Sequence, residues 1–155
     1  MTNLRLLLIP FAVGAAGGST LYARGSSDPR VWQSDVRIES LEVTAAKTGS
    51  SLNARAVIAA DGDDAARSVR VEIMLPIGVG VLRLSDGCRP SPSPVTGLNA
   101  RVTCDLGEIA AHSSREISVS TTARLSSLPL RLGVFAFSDT PDPSPANNFA
   151  ERLTQ

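Results

Sequence analysis

Cys88 and Cys104, the only two cysteines, are the residues whose type and spacing predict a specific covalent bond. Each lies at the end of a run with the pattern of a β-strand. In an exported chain they would be joined, closing a loop of about 15 residues and adding about 3 kcal/mol in the loop-entropy model. Because disulfides persist in oxidising compartments, the pair predicts a structural disulfide in a protein outside the cytoplasm.

The remaining chemically active residue types form no catalytic pattern. His112 is the single histidine, in a predicted turn, and nothing signals the partners of a Ser-His-acid triad. Asp61, Asp63 and Asp64 have the carboxylate chemistry of a calcium loop, but Asp-x-Asp spacing lacks the rest of that loop pattern. We expect no catalytic residue, no metal site and no cofactor; if the chain does bind calcium, these three aspartates are the candidate ligands.

The composition excludes several classes of partner. The chain has 155 residues, enough for one domain, and it balances 15 basic against 15 acidic residues. This balance gives no electrostatic reason to bind nucleic acid or an anionic membrane. Hydrophobic residues make up 43% of the sequence and aromatic residues 4%, so we expect a core of Val, Leu, Ile and Ala.

Residues 1–23 have the order of a secretory signal peptide: Arg5, then an apolar centre at 6–13, then small residues at 14–20 followed by Leu21-Tyr22-Ala23. An uncleaved membrane anchor is the alternative, since residues 6–23 carry no charge. After cleavage no membrane span would remain. Residues 24–34 have the composition of a linker, and we expect Trp32 to cap one end of the core.

Residues 35–155 contain short runs in which apolar and polar residues alternate, which is typical of half-buried β-strands. The clearest run extends from Val69 to Leu75 and stops at Pro76. A change of phase near Glu39-Ser40 predicts a β-bulge. Phe135 and Phe137 lie on the opposite face of their run from Leu132 and Val134, and the proline-rich stretch 89–94 has the pattern of an exposed loop.

Together these runs predict an all-β fold. No segment shows the sustained spacing of three and four that marks a helix. Seven or eight short strands separated by Gly, Pro and Asp turns predict an antiparallel immunoglobulin-like β-sandwich, with two packed sheets tied by the single disulfide.

Asn147 and Asn148 follow three prolines and precede the last predicted strand. Asparagine side chains bond nearby main chain and tolerate left-handed conformations. We therefore expect this doublet to fix the turn into the last strand.

The order of these motifs resembles a known family. It includes Ile73-Met74-Leu75-Pro76, Gly87-Cys88, Val102-Thr103-Cys104-Asp105-Leu106-Gly107 and Pro145-Ala146-Asn147-Asn148. Over about residues 35–153 this is similar to the immunoglobulin-like repeat of prokaryotic surface proteins catalogued as domain of unknown function eleven. The resemblance implies a structural or adhesive module with no catalytic residues.

Two functions fit the sequence. The first is an exported, non-enzymatic structural, adhesion or protein-interaction module of a bacterial envelope, periplasmic, cell-surface or extracellular, whose partner is an unknown envelope protein or glycan. The alternative is a small β-sandwich that binds a ligand or glycan. Such sites usually present exposed aromatic rings, for which Tyr22, Trp32, Phe135 and Phe137 are the candidates. A hydrolase would need a nucleophile and base pattern that the sequence lacks.

Overall fold

The computed structural model describes residues 31–45, 51–76, 79–91, 101–123 and 130–153. Within them it contains nine antiparallel strands and one 3-10 turn, Pro145–Asn147. The strands are β1 (Asp35–Ala45), β2 (Ser51–Asp61), β3 (Ala66–Met74), β4 (Val79–Leu84), β5 (Cys88–Ser91), β6 (Arg101–Ile109), β7 (Ser113–Ala123), β8 (Arg131–Phe137) and β9 (Phe149–Leu153). The predicted signal peptide and residues 24–30 of the predicted linker lie outside the described residues.

The strands form an immunoglobulin-like antiparallel β-sandwich, as predicted. Sheet A has the order β1-β2-β7-β4, and sheet B has the order β5-β6-β3-β8-β9. In immunoglobulin terms, sheet A is the ABED sheet and β3-β8-β9 is the CFG sheet. Strands β5 and β6 are the addition: they widen sheet B beside β3, although they follow β4 in the chain.

The core lies between the two sheets and is built from aliphatic residues. Among the described residues, the buried hydrophobic side chains are Val, Leu, Ile and Ala together with Cys104 and include no aromatic ring, as the composition predicted. Most of them come from alternate positions of their strands, because successive side chains point to opposite faces of a sheet, although Ile58, Ala59 and Ala60 of β2 are buried in succession. Strand β3 shows the pattern most clearly, with Val69, Val71 and Ile73 buried.

Two features of the strands bear on the sequence predictions. The β1–β2 register shifts between Ile38 and Ser40, which confirms the predicted β-bulge. Strand β5 was not predicted, because Arg89 and Pro90 were assigned to an exposed loop. Pro90 is tolerated there because β5 is an edge strand, where a residue without an N–H group can leave the outer side unpaired.

Residues 31–34 lie against one end of the sandwich. The amide of Ser34 donates to the carbonyl of Pro141 at 3.1 Å, and the amide of Gln33 donates to the carboxylate of Asp64 at 3.1 Å. Trp32 does not cap the core as expected: it is 53% exposed, and the guanidinium of Arg67 lies 5.0 Å from its ring centroid. None of the described segments is a helix long and apolar enough to cross a bilayer.

Two left-handed glycines, Gly87 just before β5 and Gly107 in β6, allow a matched test of backbone packing. A Cβ atom on Gly87, at φ +77°, would lie 2.6 Å from the carbonyl oxygen of Asp105, whereas one on Gly107, at φ +66°, would meet nothing within 4 Å. We expect Gly107→Ala to lower the free energy of unfolding by about 1–2 kcal/mol, the cost of the left-handed conformation. Gly87→Ala should cost clearly more in a urea titration, and equal losses would contradict the close approach of Gly87 to β6.

Candidate binding surface

The structure joins Cys88 and Cys104 in a disulfide, as predicted. The two residues are directly opposed partners on the neighbouring strands β5 and β6. Cys104 is fully buried and Cys88 is partly buried. The bridge therefore lies within sheet B and fastens its edge strand, so the prediction that it ties the two sheets together is wrong.

The three candidate calcium ligands do not act as a group. The Oδ2 atom of Asp61 accepts a hydrogen bond from Nε of Arg37 at 2.6 Å, and this bond raises the pKa of the Arg37 guanidinium above its ordinary value. Asp64 accepts the Gln33 amide, while Asp63 is exposed. Across the described ranges, no three His, Cys, Asp or Glu side chains are grouped so that they could hold a metal ion.

The asparagine doublet lies where the last turn meets β9, but its contacts differ from those expected. The side-chain amide of Asn147 donates to the carboxylate of Asp35 at 2.9 Å, which joins the end of the chain to the start of β1. Asn148 is buried and right-handed, with φ at −76°, and its carbonyl accepts the Ala136 amide. The doublet thus holds the final turn through contacts with β1 and β8.

His112 lies in the turn between β6 and β7, as predicted. It is exposed and left-handed, with φ at +56°, and the turn is closed by a hydrogen bond from the Ser113 amide to the Ala110 carbonyl. His112 is therefore an exposed residue of a closed turn, which is the structural role that the sequence predicted.

The feature with the clearest potential for binding is an apolar row on the outer face of sheet B. We call it the aromatic strip; it comprises Met74, Phe135, Phe137, Phe149 and Leu153. Four of its members are among the exposed large hydrophobic residues: Met74 is 37% exposed, Phe137 41%, Phe149 42% and Leu153 53%. All three phenylalanines that follow the predicted signal peptide lie in this row, and none is in the core.

Met74 and the three phenylalanines form a continuous group because of the strand register. Leu153 lies opposite Arg131 and is separated from Phe149 by Glu151 on the same face of β9. Phe135 lies opposite Phe149 on β9, with ring centroids 6.2 Å apart, and is 4.4 Å from the ring of Phe137. Gly133 lies between Met74 and Phe149 on the same face. A Cβ atom at this position would lie 2.8 Å from the Met74 Cε atom and 3.3 Å from the Phe149 ring. The missing side chain at Gly133 therefore lets Met74 and Phe149 lean together over β8.

Charged residues border the strip, and they are paired within the chain. The pairs are Arg70–Asp139, Glu72–Arg101 and Arg131–Glu151, with N–O distances of 3.7, 3.3 and 3.4 Å. Exposed ion pairs of this kind contribute about 1 kcal/mol or less to stability. Because each pair joins one positive and one negative side chain, the border of the strip carries equal numbers of positive and negative charges.

The outer face of sheet A offers a contrast. Its central strands present polar side chains to solvent, namely Asn53, Arg55, Glu116, Ser118 and Thr122. Arg55 pairs with Glu116, and the Glu116 carboxylate raises the pKa of the Arg55 guanidinium. The large exposed apolar row is thus a property of sheet B and not of both layers.

The size of the strip is that of a functional patch. A phenylalanine has about 150–250 Å² of surface, so exposures near 40% leave roughly 300–400 Å² for the whole strip. The largest apolar patch on a typical monomer is about 300–600 Å² and is often functional. The alternation of buried and exposed positions along β8 predicts that Phe135 and Phe137 point away from the core. Their grouping with Met74 and Phe149 depends on the strand order β3-β8-β9, which the sequence pattern does not show.

Neither a protein-family model nor a curated protein matches the chain. Solved structures do match. A chitin-binding domain from Streptomyces coelicolor is 16% identical, with a TM-score of 0.42, over 64% of this chain and 90% of that one. A cohesin module of a Clostridium perfringens family 33 glycoside hydrolase is 17% identical, with a TM-score of 0.45, over 80% and 96%. A Vibrio harveyi exo-β-N-acetylglucosaminidase is 9% identical, with a TM-score of 0.34, and the chain matches 17% of its length. We draw no functional conclusion from these low scores.

Proposed function

We propose that this chain is an exported, non-enzymatic adhesion or protein-interaction module of a bacterial envelope, and that it binds its partner through the aromatic strip. The observation that carries the proposal is the placement of the phenylalanines: all three in the described chain lie on one outer sheet face. Burying such a side chain in the core would gain about 1.5–3 kcal/mol. A domain that leaves these side chains on its surface does not obtain this free energy from folding. Burial against a partner would supply it on binding.

Export is supported by two independent features. The disulfide between Cys88 and Cys104 needs an oxidising compartment to persist. The first 23 residues have the order of a signal peptide, and the resemblance to surface-protein repeats, which we retain as a proposal, agrees with that location.

The composition of the surface favours a protein partner. The core of an interface between proteins is enriched in aromatic residues and Met and is depleted in charged residues. The strip itself consists of three Phe, one Met and one Leu.

Glycan binding is the second candidate, and a specific observation supports it. An open depression of about 620 Å³ lies next to the strip. Arg70 helps to line this depression and is also the cross-strand partner of Phe137. Asp105, Glu108 and Asp139 also line the depression and could accept hydrogen bonds from sugar hydroxyls while the phenyl rings pack against the apolar face of a sugar.

The test compares two surface variants. Phe137→Ser with Phe149→Ser removes two of the three rings of the strip, whereas Leu82→Ser removes an exposed hydrophobic side chain, 63% exposed, from β4 of sheet A. We expect the wild-type chain and Leu82→Ser to capture the same component from an envelope fraction, and the double variant to capture at least about tenfold less. Because these side chains are exposed, the melting temperatures should stay close to wild type.

The treatment of the fraction distinguishes the two partners. Protease digestion of the envelope fraction should abolish capture, and periodate oxidation of its glycans should leave capture unchanged. The reverse pattern would assign the strip to glycan binding. Equal capture by the wild-type chain and the double variant would contradict the proposal.

A further inference from the structure

We infer that the partner of the aromatic strip is the strip of a second copy of this chain, so that two copies form a weak symmetric dimer face to face. This inference rests on the proposed function and specifies the partner. Four observations support it: the border charges, the net charge, the size of the strip and the protection of the sheet edges.

The charges around the strip permit self-association. One end of the strip has the Arg70–Asp139 pair, and the other has the Arg131–Glu151 pair. A two-fold axis in the plane of the interface and perpendicular to β8 brings one end of the strip over the other end of its copy. Because each end holds one cation and one anion, the facing ends meet without an excess of like charge, as an isologous contact requires.

The overall charge does not oppose the contact either. The chain has a formal net charge of +0, with 15 basic and 15 acidic residues, and removal of residues 1–23, whose only charged side chain is Arg5, leaves 14 basic and 15 acidic residues. A net charge near zero promotes association, whereas a large net charge keeps copies apart by repulsion.

The size of the strip sets the strength of the dimer. A standard protein interface buries about 800 Å² on each partner, a little over half of it apolar. A strip of roughly 300–400 Å² supplies most of that apolar area. Obligate dimers bury about 2,000 Å² or more in total, so the strip fits a dimer that exchanges with monomer.

The sheet edges are protected, which favours contact through faces. Strand β5 carries Pro90, β1 carries a bulge at Glu39, and β4 has a register shift between Val81 and Arg83. Strand β9 is five residues long, and Nε of Arg152 on it donates to the carbonyl of Leu41 at 3.1 Å. Prolines, bulges, short strands and charges at edges all hinder pairing with another chain.

Sedimentation equilibrium of the chain harvested from the exported fraction tests the inference. From micromolar to millimolar concentration we expect a reversible monomer–dimer equilibrium. Phe137→Ser with Phe149→Ser should raise the dissociation constant at least about tenfold, and Leu82→Ser should leave it unchanged. Added salt should not dissociate the dimer, because its centre is apolar and its border charges are already paired.

Three results would overturn the inference: a monomer at millimolar concentration, a dimer that the double variant leaves intact, or a dimer that Leu82→Ser weakens equally. The proposed function is distinguishable from it. If the chain is monomeric but the double variant still loses capture from the envelope fraction, the strip binds a different partner. If neither property changes, the strip has no binding role and both proposals fail.

Discussion

Replacing Cys88 and Cys104 together with alanine should lower the free energy of unfolding by about 2–5 kcal/mol. The cysteines are 16 positions apart, so the bridge restricts a short loop of the unfolded chain. Alanine is the suitable replacement because Cys104 is fully buried, and a serine hydroxyl there would add a separate desolvation cost. For a domain of this size the melting temperature should fall by roughly 10 °C or more, measured by calorimetry or circular dichroism.

The control is reduction of the wild-type protein. A thiol reductant should bring the wild-type melting temperature close to that of the double variant and should leave the variant unchanged. Because the bridge fastens β5 within sheet B, the variant should keep its β circular-dichroism spectrum below the transition. An unchanged melting temperature in the variant would contradict a structural disulfide.

Ile73→Ala should also cost about 2–5 kcal/mol, whereas Met74→Ala, one position along the same strand, should cost about 1 kcal/mol or less. Ile73 is 2% exposed in β3, which is flanked by β6 and β8, and its side chain points into the core between the sheets. Met74 points to the opposite face, where it belongs to the aromatic strip and is 37% exposed.

The two variants control for each other, because they remove side chains of similar size from neighbouring positions in one strand. Urea denaturation of both gives the comparison directly. Similar losses of stability at the two positions would mean that both faces of β3 are buried. That result would contradict a two-layer sandwich in which the outer face of sheet B is exposed to solvent.

Much of the fold was predictable because alternation along a strand reports which side chains are buried. The run from Val69 to Leu75 and the bulge beside Glu39 were both read from residue order, and both are observed. The disulfide followed from the number of cysteines, but its position within one sheet did not. That position depends on β5 pairing with β6, and β5 was hidden by Pro90 and by its length of four residues.

The binding surface was only partly predictable, because it depends on long-range strand order. Alternation placed Phe135 and Phe137 outward, but nothing local in the sequence brings Met74 of β3 and Phe149 of β9 to either side of β8. Asn147 is a similar case. Local rules predicted bonds to nearby main chain, whereas its side chain contacts Asp35 at the start of β1, 112 positions away.

The central claim is that this sandwich holds an aliphatic core and presents its phenylalanines to solvent. Hydroxyl-radical footprinting with mass spectrometry tests it most directly, since the label reports the solvent exposure of each side chain. The structure predicts rapid labelling of Phe137 and Phe149 in the dilute monomer and slow labelling of the fully buried Leu52 and Leu132. Protection of both phenyl rings in the dilute monomer, at the level of Leu52 and Leu132, would contradict the account.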